Sequence, residues 1–106
     1  AHEVAPGPVY RDARVTVTAF AVRHGAWTHA YGYRFQSQDR VVVISGDTVP
    51  VDAIAAQCDG CDVLVHEAYS QKGFDSREEE WQAYHRISHT SGPDLGDIAA
   101  RARGSR

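Results

Sequence analysis

The sequence predicts an α/β fold, a mixed sheet with helices packed on it. Three observations carry this. Residues 15–22 (VTVTAFAV), 29–36 (HAYGYRFQ) and 41–45 (VVVIS) are β-branched or aromatic segments of strand length. A short helical face, with Val51, Ile54 and Ala55 at i, i+3 and i+4, leads into another apolar strand in DVLVHEA, residues 62–68. Helical patterns close the chain over 76–86 and from Pro93 to about Arg103.

Taken in order, residues 1–13 carry Pro6, Gly7 and Pro8 and read as an extended or turning lead-in. The alternation of 15–22 makes a strand, HGAW breaks it, and 29–36 returns with aromatics at alternate positions. The link SQDR is so short that 29–36 and 41–45 must form an antiparallel hairpin. VDAIAAQC, 51–58, is the first helix. Glu78, Glu79 and Glu80 suit the first turn of the helix over 76–86, where negative charge complements the helix dipole. SHTSGP is a loop, and Pro93 opens the last helix. There is no internal repeat and no low-complexity tract.

Composition bounds the function. A chain of 106 residues has room for one domain burying about two thirds of its unfolded surface. No apolar run approaches the ~20 residues of a membrane span, and no signal-peptide pattern opens the chain. Methionine is absent altogether, so the sequence is expected to be a piece of a longer protein. With net charge −3, and Lys and Arg scattered apart from Arg101, Arg103 and Arg106, nucleic acid is a poor match for a partner. CDGC, Cys58 to Cys61, is expected to be two thiols in a turn rather than a redox pair or half of a zinc site, because no second CxxC accompanies it.

The chemistry collects where strands end. VVVISGDTVP runs an apolar strand into Asp47, with Gly46 letting the backbone turn and Pro50 closing the loop. Sites gather at such ends because the strand fixes a side chain that the following loop leaves accessible. Asp47 reads either as a turn or helix-capping residue or as a carboxylate ligand to a cation such as Zn²⁺. His66-Glu67 ends a second strand in the same way, and His89 lies in a loop of small and hydroxyl residues. Trp27, Tyr31, Tyr33 and Trp81 fit core or cross-strand packing better than a pocket, and His29 and His85 carry no assigned role.

VTAFAVRHG, HAYGYRF, VVVISGDTVP, DVLVHEAYS and SHTS, in this order, resemble the metallo-β-lactamase fold superfamily, in its ribonuclease Z-like branch, from about Val15 to Ala102. The resemblance implies the C-terminal half of an αββα sandwich, with helices on one face of the sheet, so that 1–106 is a single partial domain. It implies that Asp47 bridges two zinc ions, that Glu67 and His89 transfer a proton to the leaving group, and that His24 lies on the substrate side. Metal-activated water would attack an ester-type or phosphodiester-type substrate.

The chain departs from that pattern in one respect. None of its histidines forms the superfamily's HxHxDH motif, and two further histidine ligands of the family have no counterpart here. An isolated Asp47 would not hold zinc tightly, because catalytic zinc sites take about three protein ligands. The expectation is therefore a hydrolase fragment inactive by itself, its other metal ligands outside this chain. The alternative is a non-catalytic half-domain that pairs with a missing N-terminal half or with a second copy. A small or medium ester or anionic substrate suits the charge better than RNA.

Overall fold

A computed structural model describes residues 2–103. Its elements are β1 (Gly7–Arg11), β2 (Thr16–Ala21), β3 (Tyr31–Gln36), β4 (Val41–Ile44), α1 (Asp52–Cys58), β5 (Val63–Val65), α2 (Gln71–Asp75), α3 (Glu79–Ser88) and α4 (Gly92–Ala102). The strands form one sheet in sequential order, antiparallel from β1 to β4 and parallel between β4 and β5. The hairpin between β3 and β4 is as the short link requires. A parallel step needs a crossover, and α1 provides it.

Register decides which face is covered. Thr18, Arg34, Val43 and Leu64 align across β2 to β5 on one face. There Arg34 Nε donates to the Gln57 carbonyl of α1 at 3.0 Å, and Val43, Ile54 of α1 and Ile98 of α4 are each 0% exposed within one cluster. Each such aliphatic side chain contributes roughly 1.5–3 kcal/mol when buried. The opposite face carries two rows that cross all five strands. One is Tyr10, Val17, Phe35, Val42 and Val63, and the other is Gly7, Ala19, Tyr33, Ile44 and Val65. Tyr10, Ile44, Val63 and Val65 remain exposed on it. The shortest dimension of the molecule, 16 Å, is that of a sheet with a single helical layer.

Three local expectations are corrected. The lead-in contains a strand, β1, which pairs with β2 through a register shift between Pro8 and Tyr10; as an edge strand it tolerates proline. The helix expected over 76–86 is α3, Glu79–Ser88, and an unexpected separate helix, α2, precedes it, with Ser70 as its cap accepting from the Gly73 N–H at 3.1 Å. Glu79 and Glu80 do fall in the first turn of α3. Cys58 and Cys61 are joined as a disulfide rather than two thiols. Asp59 and Gly60 turn left-handed between them, and the Gly60 N–H donates to the Ala102 carbonyl of α4 at 2.6 Å. Among the described residues no helix is long and apolar enough to cross a membrane.

Candidate active site

The end of β4 turns sharply at Gly46, whose φ of 65° is left-handed; a Cβ there would approach the Tyr31 carbonyl to 3.1 Å. Ser45 stays buried before the turn, and Asp47 emerges exposed after it. Among the described residues its carboxylate takes part in no hydrogen bond.

Glu67, two residues past β5, is held on every side. Its Oε1 accepts from the Thr48 N–H at 2.8 Å and its Oε2 from the Thr90 N–H at 3.3 Å. Its own N–H donates to Ser45 Oγ at 3.3 Å. His89 Nδ1 lies 2.8 Å from Oε1. A carboxylate only accepts, so that nitrogen carries the proton and His89 is left with Nε2 for other work.

His24 is oriented in the same manner. Its Nδ1 donates to the Ser88 carbonyl at 2.8 Å, at the end of α3, while the adjacent Gly25 N–H donates to the Ile87 carbonyl at 2.9 Å. The loop after β2 is thereby docked on the helix that ends in His89. His24, Asp47 and His89 bring one ligand atom each to within 4.8 Å of one another. The four predicted site residues thus meet at one end of the sheet, and Asp47 is not isolated.

This donor set suits a metal. Imidazoles whose Nδ1–H is engaged by an oxygen present Nε2 in a fixed orientation, the arrangement typical of metal-ligating histidines. Asp47 adds a carboxylate with unengaged oxygens. Three protein ligands with an open position are enough for one catalytic zinc.

Sequence reasoning missed the hydroxyls that hold the site together. Thr48 and Thr90 are both 0% exposed, and Thr90 Oγ1 donates to the Thr48 carbonyl at 2.7 Å. Thr48 Oγ1 donates to the Val49 carbonyl at 2.6 Å and accepts from the Arg23 N–H at 3.3 Å. The GDT and SHT segments are therefore stitched to each other through their threonines, and the signal was their run of small hydroxyl residues. His85, to which the sequence assigns no role, has its ring 5.2 Å from that of His89 and stacks on Trp81 at 3.6 Å. His66 stands apart from the cluster: its Nδ1 donates to the Glu67 carbonyl at 2.7 Å, and its buried Nε2 has no partner among the described residues. His29 stacks on Tyr31, and Trp27 is largely exposed.

Comparison with known proteins agrees with this architecture. A family model described as the beta-lactamase superfamily domain matches residues 1–106. Ribonuclease Z of Mycobacterium tuberculosis is 37% identical over 65 residues, covering 61% of this chain and 24% of that protein. Ribonuclease Z of Shouchella clausii is 41% identical over 66 residues, covering 61% of this chain and 21% of that protein. The chain spans well under a third of the length of these curated relatives. Among solved structures, the metallo-beta-lactamase fold protein YhfI of Bacillus subtilis superposes with a TM-score of 0.69 at 18% identity, over 92% of this chain and 36% of that one. The short form of human tRNase Z does so with a TM-score of 0.69 at 22% identity, over 93% of this chain and 36% of that one. At those identities the likeness concerns the fold. The chain belongs to the beta-lactamase superfamily domain family and is a ribonuclease Z-like member of the metallo-β-lactamase fold superfamily.

Proposed function

We propose that this chain contributes Asp47, Glu67, His89 and His24 to the active site of a zinc-dependent hydrolase of ester-type or phosphodiester-type substrates. The observation that carries the reading is the 2.8 Å contact of Glu67 with His89 beside Asp47 and His24. Bound zinc supplies Lewis acidity and lowers the pKa of water toward neutrality. Asp47 would be the carboxylate that holds the metal. Glu67 fixes the His89 ring and balances its positive charge when protonated, and Nε2 delivers the proton to the departing oxygen. His24, clamped to Ser88, faces the substrate. The remaining metal ligands come from a part of the protein beyond this chain.

The crowding of His24, Asp47 and His89 favours a second arrangement, one ion held by all three. His89 cannot serve in both roles, since a ligating Nε2 has no proton to give. Zinc titration of the His89→Ala variant separates them: in the proton-transfer reading zinc stoichiometry is preserved, and in the ligand reading it falls with the histidine.

The partner follows from the open sheet face. Two apolar rows across five strands favour association, either with the remainder of a longer chain as the second half of a sandwich or with a second copy. The 106-residue chain by itself is expected to self-associate and to lack zinc-dependent hydrolysis of simple phosphodiesters, sulfate esters or β-lactams. Sedimentation at micromolar concentration tests this, and a monomer with a cooperative melt would remove the half-domain reading.

A further inference from the structure

We propose that Tyr84 and His85 form a subsite for the leaving group, selecting esters whose departing alcohol bears a planar aromatic ring; this rests on the reading of His89 as the proton donor. Trp81 and His85 stand four residues apart on one side of α3, with Arg77 just before the helix and His89 at its C-cap. The Arg77 guanidinium lies 5.1 Å from the Trp81 ring centre, Trp81 stacks on His85 at 3.6 Å and 19°, and His85 tilts against His89 at 5.2 Å. His85 Nδ1 donates to the Trp81 carbonyl at 3.0 Å, which locks the ring. Tyr84 stands edge-on to both imidazoles, 5.0 Å from His85 and 6.1 Å from His89.

The row is packed within the chain as far as His85, but Tyr84 and Ile87 are 52% and 59% exposed. Large apolar surface left in water is unfavourable, and a patch of it beside a reacting group marks a binding surface. Whatever is bonded to the oxygen that His89 protonates lies next to this patch. Neighbouring cations do not serve it: Arg77 is placed over Trp81, and the Arg86 guanidinium lies 5.4 Å from the Phe74 ring centre. An aromatic ring with an open side and no charge to offer suits a planar ring better than an anion. In the reaction water gives up a proton to solvent and its oxygen joins the phosphorus or acyl centre, the ester oxygen leaves with the bonding electron pair, and it takes a proton from His89 to depart as the aromatic alcohol.

The test uses the intact zinc-loaded protein with two phosphodiesters, a benzyl methyl ester and its cyclohexylmethyl counterpart, alike in size and leaving-group basicity. The benzyl ester is expected to be favoured in kcat/KM by about 2–12-fold, the reach of one aromatic pair. That ratio should collapse toward one in Tyr84→Ala and persist in Tyr84→Phe. Calorimetric binding of benzyl and cyclohexylmethyl phosphonates should show the same preference without turnover. Equal treatment of the two by the wild-type protein, a ratio unmoved in Tyr84→Ala, or an equal loss on both with a lowered melting temperature would each overturn the subsite. Failure of the underlying reading shows elsewhere, as His89→Ala turning over both esters at the wild-type rate.

Discussion

Glu67 and Asp47 stand past the ends of the neighbouring strands β5 and β4, and the chain treats the two carboxylates in opposite ways. Glu67, with 18% of its side chain exposed, accepts from two backbone N–H groups and from His89. Asp47 lies in solvent with no partner among the described residues, beside two imidazoles whose Nδ1 atoms are already engaged. A carboxylate whose oxygens are filled by the backbone is part of the fold and can only orient what touches it. One left unfilled next to nitrogen donors is available to a cation.

The largest effect expected from that contrast is on metal. Asp47→Ala in the intact protein should lose its zinc and drop to background turnover while melting as the metal-free wild type does, since exposed substitutions usually stay within about 0.5 kcal/mol. Elemental analysis finding two zinc ions in that variant would reverse the assignment.

Next comes proton transfer. Glu67→Ala and His89→Ala should each lower turnover by ~10²–10⁴-fold with metal content largely kept, and poor leaving groups should suffer most. The pair acts as a unit, so the double variant should be little worse than either single one. Losses that multiply would mean the two side chains work separately.

A smaller effect separates the carboxylates by stability. Glu67→Ala leaves the Thr48 and Thr90 N–H groups unpaired, at a cost of about 1–3 kcal/mol in denaturant unfolding, and Glu67→Gln should retain part of that. If Asp47→Ala proved the more destabilising, the comparison would be inverted.

The smallest effect belongs to Asp12, a carboxylate as fully engaged as Glu67 but at the surface and far from any chemistry. The Arg14 N–H, then the Tyr10 hydroxyl and the Val15 N–H, hold its carboxyl below the ordinary value. Its contribution to stability is therefore present above about pH 4 and is lost as pH falls through the depressed value. Asp12→Asn should flatten that part of the stability profile in acid unfolding and leave hydrolysis untouched.

Local pattern by itself determined much of this protein. Alternation marked β2 and β3, apolar runs β4 and β5, i, i+3, i+4 spacing α1, and Pro93 the start of α4, because burial and helix-start chemistry leave their mark on neighbouring residues. The same reading put Asp47 and Glu67 after strands, since an apolar run that stops at a carboxylate is visible in a few residues. It could not show β1, whose prolines disguise an edge strand, nor the bond between Cys58 and Cys61, which depends on how the turn between α1 and β5 is shaped. Nor could alternation in VTVTAFAV say which side faces helices, as neither side is polar; the register with β3 and β4 decided that. The convergence at the site belongs to tertiary structure most of all. His24 is aimed by the Ser88 carbonyl, Glu67 by Thr48 and Thr90, and His89 by Glu67, across separations of 19 to 64 residues. Such contacts leave no period in the sequence, because the partners meet only after β4, β5 and α3 have been set in place by the core.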